Sequence, residues 1–85
     1  MYHIRLHKQA AKGLLKMPRK MAKKLQMELA RIAQSPKNYT GDFKPLRGRP
    51  AWRLRIGGWR AICEIHDDEL VILVLDIAPR GDIYK

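Results

Sequence analysis

Gly57-Gly58 sits between two runs that each read as half of a β-hairpin, and no other feature restricts the fold of these 85 residues so sharply. Upstream, Trp52, Leu54 and Ile56 alternate with Arg53 and Arg55, the period-2 pattern of a strand with one buried face. Downstream the chain resumes as Trp59-Arg60-Ala61-Ile62-Cys63-Glu64-Ile65. Two glycines suit the connection because primed hairpin turns need positive φ. If they are the whole turn, Ile56 pairs with Trp59, Arg55 lies across from Arg60, and Arg53 shares their face. Like charges directly opposite one another destabilise a sheet. An anionic ligand offsets that cost, and the planar fork of arginine matches phosphate with bidentate hydrogen bonds.

The rest of the composition agrees with a polyanionic partner. Eighteen Lys+Arg against eight Asp+Glu give a formal charge of +10, which favours nucleic acid first. A hydrophobic fraction of 46% is ordinary for a folded chain, and residues 1–85 are expected to form a single small domain. The lone cysteine, Cys63, excludes an intrachain disulfide and fits a reducing compartment. It falls inside an apolar strand run, where a buried, inert thiol is expected. No apolar run is long enough to span a bilayer. His3, Arg5, His7 and Lys8 interrupt any signal-peptide core, so a cytoplasmic protein with no membrane partner is expected.

Tyr2 to Leu6 alternates as a first strand. Ala10, Ala11, Leu14, Leu15 and Met17 fit a helical stripe over Lys8 to Met17, although Gly13 weakens it by about 1 kcal/mol relative to alanine. Pro18 suits the first position of a second helix, carried by Met21, Leu25, Leu29 and Ile32 and ended by Ser35-Pro36. Pro36 to Pro50 has three prolines and two glycines and is expected to be ordered but irregular, pinned by Phe43 and Leu46. Its cations Lys37, Lys44, Arg47 and Arg49 are either ligand contacts or a solvated loop. His66-Asp67-Asp68-Glu69 reads as an acidic turn, and Leu70 to Leu75 as a strand buried on both faces. Pro79 to Asp82 reads as a turn carrying Arg80, with Tyr84 returning beside the sheet. The order β-α-α-β-β-β predicts an α+β fold: an N-terminal strand, an antiparallel helical hairpin, then three antiparallel strands in one sheet with the helices on one face.

The motifs exclude several chemistries. His3, His7 and His66 lack metal-ligand spacing, and no P-loop, dinucleotide fingerprint or nucleophile elbow occurs, so no cofactor or metal is expected. What remains is Arg53, Arg55, Arg60, Arg80 and Tyr84. Arginines stabilise charge that builds on phosphate, and a tyrosine can stack on a base or move a proton. The set suits attack of a ribose 2′-hydroxyl on the adjacent phosphate, which needs neither metal nor enzyme nucleophile.

Lys44-Pro45-Leu46-Arg47-Gly48, Trp52 to Arg60, and Ile77-Ala78-Pro79-Arg80-Gly81-Asp82-Ile83-Tyr84 together resemble the RelE/ParE superfamily of bacterial toxins. The similarity extends over nearly the whole chain and includes its element order. It implies a toxin of a type II toxin–antitoxin system, in a hetero-oligomer with an acidic antitoxin. The RelE branch, taken first here, implies a ribosome-dependent endoribonuclease (mRNA interferase) that cuts mRNA and inhibits translation. The ParE branch implies inhibition of DNA gyrase without RNA cleavage, and a non-catalytic nucleic-acid-binding remnant is the third reading. Transferred position by position, RelE-type catalysis implies catalytic roles for Arg53, Arg55, Arg60, Arg80 and Tyr84. Lys37, Lys44, Arg47 and Arg49 are then candidates for contact with RNA or ribosome. RelE has lysines in the strand before the glycine turn, whereas this chain has arginines. Arginine cannot shed a proton as a shifted lysine can, so Arg53 and Arg55 are expected to clamp phosphate. Proton transfer then falls to Tyr84, to water or to the ribosome.

Overall fold

A computed structural model describes residues 1–79. Its elements are β1 (His3–Leu6), α1 (Lys8–Lys16), α2 (Arg19–Gln34), a 3-10 turn (Pro36–Asn38), β2 (Phe43–Pro45), β3 (Trp52–Ile56), β4 (Trp59–His66) and β5 (Val71–Pro79). The strands form one sheet ordered β1-β5-β4-β3-β2. β2 to β5 pair antiparallel, whereas β1 runs parallel to β5 with His3 opposite Val71. The expected α+β fold is present, and β2 adds a fifth strand within the stretch read as irregular. β2 has three residues and ends at Pro45, whose missing N–H is tolerated on an edge strand.

Local chemistry sets the helix ends. His7 caps α1, its Nδ1 accepting from the Gln9 N–H at 3.3 Å. Pro18 lies one residue outside α2, and its carbonyl accepts the Ala22 N–H at 2.9 Å. Ser35 is extended at φ −161°, as a residue before proline prefers. Leu25, Leu29 and Ile32 of α2 are almost fully buried over the sheet. On α1, Ala10 is buried but Leu15 is 86% exposed. At 100° per residue Leu15 lies about 140° around the helix from Ala10, outside the apolar stripe.

Gly13, not Leu15, makes the central α1 contact. A Cβ added there would lie 1.9 Å from the Ile77 carbonyl oxygen. The glycine therefore lets α1 approach the backbone of β5, and its helix-propensity penalty is the consequence of that approach.

A β-bulge explains why β5 does not alternate in sequence. Ile62 faces Asp76 and the next residue, Cys63, faces Val74, leaving Leu75 as the extra residue. The bulge puts Ile72, Val74 and Ile77 in the same helix-covered core. The run Leu70 to Leu75 is not buried on both faces as expected: Leu70 is in the turn at φ 54°, and Leu73 and Leu75 are half-buried. The helix-free face carries the candidate site; Ile62, which lies on it as the register partner of Arg53, is 2% exposed.

Candidate nucleic-acid interface

The β3–β4 hairpin has the expected register: Ile56 pairs with Trp59, Arg55 with Arg60 and Arg53 with Ile62. Gly57 takes φ 57° in the turn, a conformation L side chains avoid. Leu54 and Ile56 are buried in the core beneath the helices, so alternation puts Arg53, Arg55 and Arg60 on the helix-free face. Lys44 of β2 pairs with Arg53 and extends the same face. Arg53, Arg55, Arg60 and Lys44 thus form one basic cluster on three adjacent strands.

A carboxylate missing from the sequence-based site lies within this cluster. Asp42 Oδ1 is 3.7 Å from an Arg53 terminal nitrogen, and its Oδ2 is 3.7 Å from Arg55 Nε. Its backbone carbonyl also accepts the Arg55 N–H at 3.0 Å. Asp42 is the sole carboxylate between Leu29 and Cys63, a signal that could have singled it out. It offsets part of the repulsion among the arginines. At 3.7 Å these contacts are ion pairs rather than hydrogen bonds. Arg53 Nε is buried and has no hydrogen-bond partner among the described residues. An orphaned buried donor costs about 1–3 kcal/mol, which a bound anionic oxygen would recover.

An aromatic ladder holds the loop that carries Asp42 and Lys44. Tyr39 meets Phe43 edge-on at 6.0 Å, and Phe43 stacks on Trp52 at 5.0 Å. The Tyr39 hydroxyl donates to Glu28 Oε1 at 2.6 Å. Burial, then that hydrogen bond, pushes the Tyr39 pKa well above its usual value, so this phenol stays protonated. At the other end of β4, the Tyr2 hydroxyl donates to Asp67 Oδ1, and its pKa is raised by that bond first and by burial second. Asp67 therefore ties the N-terminus to the β4–β5 turn. Cys63 is fully buried, and burial pushes its thiol up to about 12, which leaves it un-ionised at neutral pH.

The other sequence candidates are dispersed. Arg47 and Arg49 lie in the β2–β3 connection, closed by Leu46 N–H to Ala51 carbonyl at 2.9 Å. That turn is at the far end of β3 from Arg55, roughly 15 Å away at about 3.3 Å per residue. Lys37 lines a separate cleft of about 210 Å³ with Tyr2, Trp52, Ile65 and Asp67. Arg80 and Tyr84 lie outside the described residues. Among the described residues no group of three or more His, Cys, Asp or Glu side chains could hold a metal ion, and no helix is long and apolar enough to cross a membrane.

Comparisons with known proteins bear on this architecture. A search of curated proteins by sequence returns no match. The fold matches a chain of the intact E. coli RelBE toxin–antitoxin complex with a TM-score of 0.82 and 20% identity, covering 95% of this chain and 99% of that one. The archaeal RelE–RelB complex from Pyrococcus horikoshii OT3 gives 0.81 and 26% identity, covering 95% and 97%. The isolated E. coli RelE toxin gives 0.78 and 24% identity, covering 99% and 92%. The family model described as the ParE toxin of the type II toxin–antitoxin system parDE matches residues 4–84. Within the RelE/ParE superfamily, the chain therefore belongs to the ParE toxin family of type II toxin–antitoxin systems.

Proposed function

We propose that this toxin is RelE-like in action: an endoribonuclease that cleaves mRNA on the ribosome. The observation carrying the proposal is the cluster Arg53, Arg55 and Arg60 on the helix-free sheet face, with Arg55 directly across from Arg60. In the reaction the ribose 2′-oxygen attacks the adjacent phosphorus, the bond to the 5′-oxygen breaks, and a 2′,3′-cyclic phosphate and a 5′-hydroxyl result. Arg53 and Arg55 clamp the phosphate, and Arg60 and Arg80 stabilise the charge that builds on its oxygens. Arginine stays protonated throughout. Tyr84 is assigned proton transfer or base stacking, and the reaction requires no metal or cofactor.

The family match to ParE toxins supports a second reading, inhibition of DNA gyrase without RNA cleavage. The same arginine face would then meet a different polyanion or protein surface. Primer extension on cellular mRNA after induction separates the two. New 5′ ends within translated codons support RNA cleavage; intact transcripts with accumulating gyrase–DNA breaks move the assignment to gyrase.

The solved relatives include RelBE and RelE–RelB toxin–antitoxin complexes. By that likeness this chain pairs with an acidic antitoxin in a cytoplasmic hetero-oligomer. With +10 on the toxin, association should be electrostatically steered and slow as salt rises. An association rate independent of salt would contradict that steering.

A further inference from the structure

Asp42 stands where a phosphate-binding cluster would gain from having no acid. Its side chain is 37% exposed, beside Arg53 at 21% and Arg55 at 40%, so the three open together onto the helix-free face. The backbone holds the carboxylate there. The Asp42 carbonyl accepts the Arg55 N–H at 3.0 Å, and the next residue, Phe43, stacks on Trp52. From that position Asp42 repels the phosphate that the arginines attract.

As a counter-ion alone it is poorly placed. Arginine and carboxylate fit each other as a fork, with hydrogen bonds of about 2.8 Å, yet both contacts here are 3.7 Å. Asp42 Oδ1 is buried without a hydrogen-bond partner among the described residues, and so is Arg53 Nε. An unused acceptor and an unused donor therefore lie in one cluster, each carrying the cost of a buried polar group left unpaired. A phosphodiester satisfies only the donor, since its oxygens accept and do not donate. A ligand that satisfies both carries a hydroxyl next to an anionic oxygen. Ribose beside its own 3′-phosphate has that arrangement, and deoxyribose lacks it. The carboxylate can present either oxygen by turning about Cβ–Cγ, a torsion with a broad range.

We infer that Asp42 accepts a hydrogen bond from the ribose 2′-hydroxyl whose phosphate rests on Arg53 and Arg55, and so selects RNA over DNA. An ionised aspartate only accepts, which matches the hydroxyl as donor, and a hydrogen bond to a charged acceptor is a strong one. Without the hydroxyl the same carboxylate only repels. The inference deepens the RNA-cleavage reading, on which it rests, by naming the residue that recognises the attacking hydroxyl.

The test is fluorescence-anisotropy titration of the purified toxin with three end-labelled oligomers of one sequence: RNA, 2′-fluoro RNA and DNA. The fluoro oligomer keeps the sugar pucker of RNA but cannot donate, which separates the hydroxyl from backbone shape. Expected is RNA binding about tenfold tighter than either of the others. With Asp42→Ala the three should bind alike, and DNA more tightly than to the parent, because a repelling charge is gone. Asp42→Asn, which keeps an acceptor of the same shape, should retain part of the RNA preference. Weakening of all three oligomers by one common factor in both variants would overturn the inference, by making Asp42 a structural counter-ion to the arginines. No binding of any oligomer, no preference in the parent, or a preference that neither variant changes would overturn it too, leaving RNA cleavage to be judged on the ribosome. Tighter binding of DNA than of RNA by the parent would overturn both.

Discussion

Gly13→Ala should destabilise the fold although it places a better helix former in α1. Helix propensity alone predicts a gain of about 1 kcal/mol. Against it stands geometry: the new methyl would lie 1.9 Å from the Ile77 carbonyl oxygen, whereas ordinary contact begins at 3.4 Å. The obstructing atom is backbone, so no rotamer change relieves it, and α1 must move off β5. That movement opens the packing of Ala10 and Ile77, now 0% and 2% exposed. Overpacking of a tight core costs about 1–3 kcal/mol and sometimes more, and a forced helix shift belongs at or beyond the upper end. The net expectation is a loss of about 2–3 kcal/mol. At about 4–8 °C per kcal/mol for a domain of this size, Tm falls by roughly 10–20 °C. Circular dichroism melts of the parent and Gly13→Ala measure it, with Leu15→Gly at the exposed position as a propensity-only control that loses about 1 kcal/mol. A Gly13→Ala Tm equal to or above the parent's would refute the close-approach account.

Three further outcomes follow from the same structure. Arg60→Ala should lose about 2–4 kcal/mol of transition-state stabilisation; single-turnover cleavage rates of the folded variant check it. Asp42→Asn should lower the unfolding free energy, measured by urea titration at low salt, by less than about 1 kcal/mol, because the pairs are partly exposed. That deficit should shrink at 1 M salt, where screening acts within about 3 Å. For Cys63, the thiol ionises near 9.0 when unfolded and near 12 when folded. The unfolded chain therefore sheds a proton first, and the thiol's contribution to stability, complete below pH 9, declines as pH rises towards 12. The stability gap between the parent and Cys63→Ala should narrow over that window; a constant gap counts against burial as the cause.

How much of this was legible depends on how local each signal is. The β3–β4 hairpin was readable because two adjacent glycines and strict alternation fix both turn and register, and so place Arg55 across from Arg60. Strand β2 was not, because three residues ending in Pro45 carry no periodic signal. The direction of β1 depends on the path of the helices rather than on its four residues. Gly13 looked like a defect because its reason, the Ile77 carbonyl, lies 64 positions away in sequence. Leu15 joined the predicted stripe on hydrophobicity although its angle excludes it. In the site, the search for cations found Arg53, Arg55 and Arg60 but passed over Asp42, which lies among them. Charge in a loop does not encode direction, so Lys44 and Lys37 read alike although only Lys44 pairs beside Arg53.

The central claim is that the arginine face acts on RNA by chemistry and not by binding alone. The most direct test is single-turnover incubation of the purified toxin with ribosomes programmed with a defined, end-labelled mRNA, with ribosome binding measured in parallel. RNA cleavage predicts strand scission leaving a 2′,3′-cyclic phosphate and a 5′-hydroxyl. An mRNA that stays intact while the toxin saturates the ribosome would contradict it.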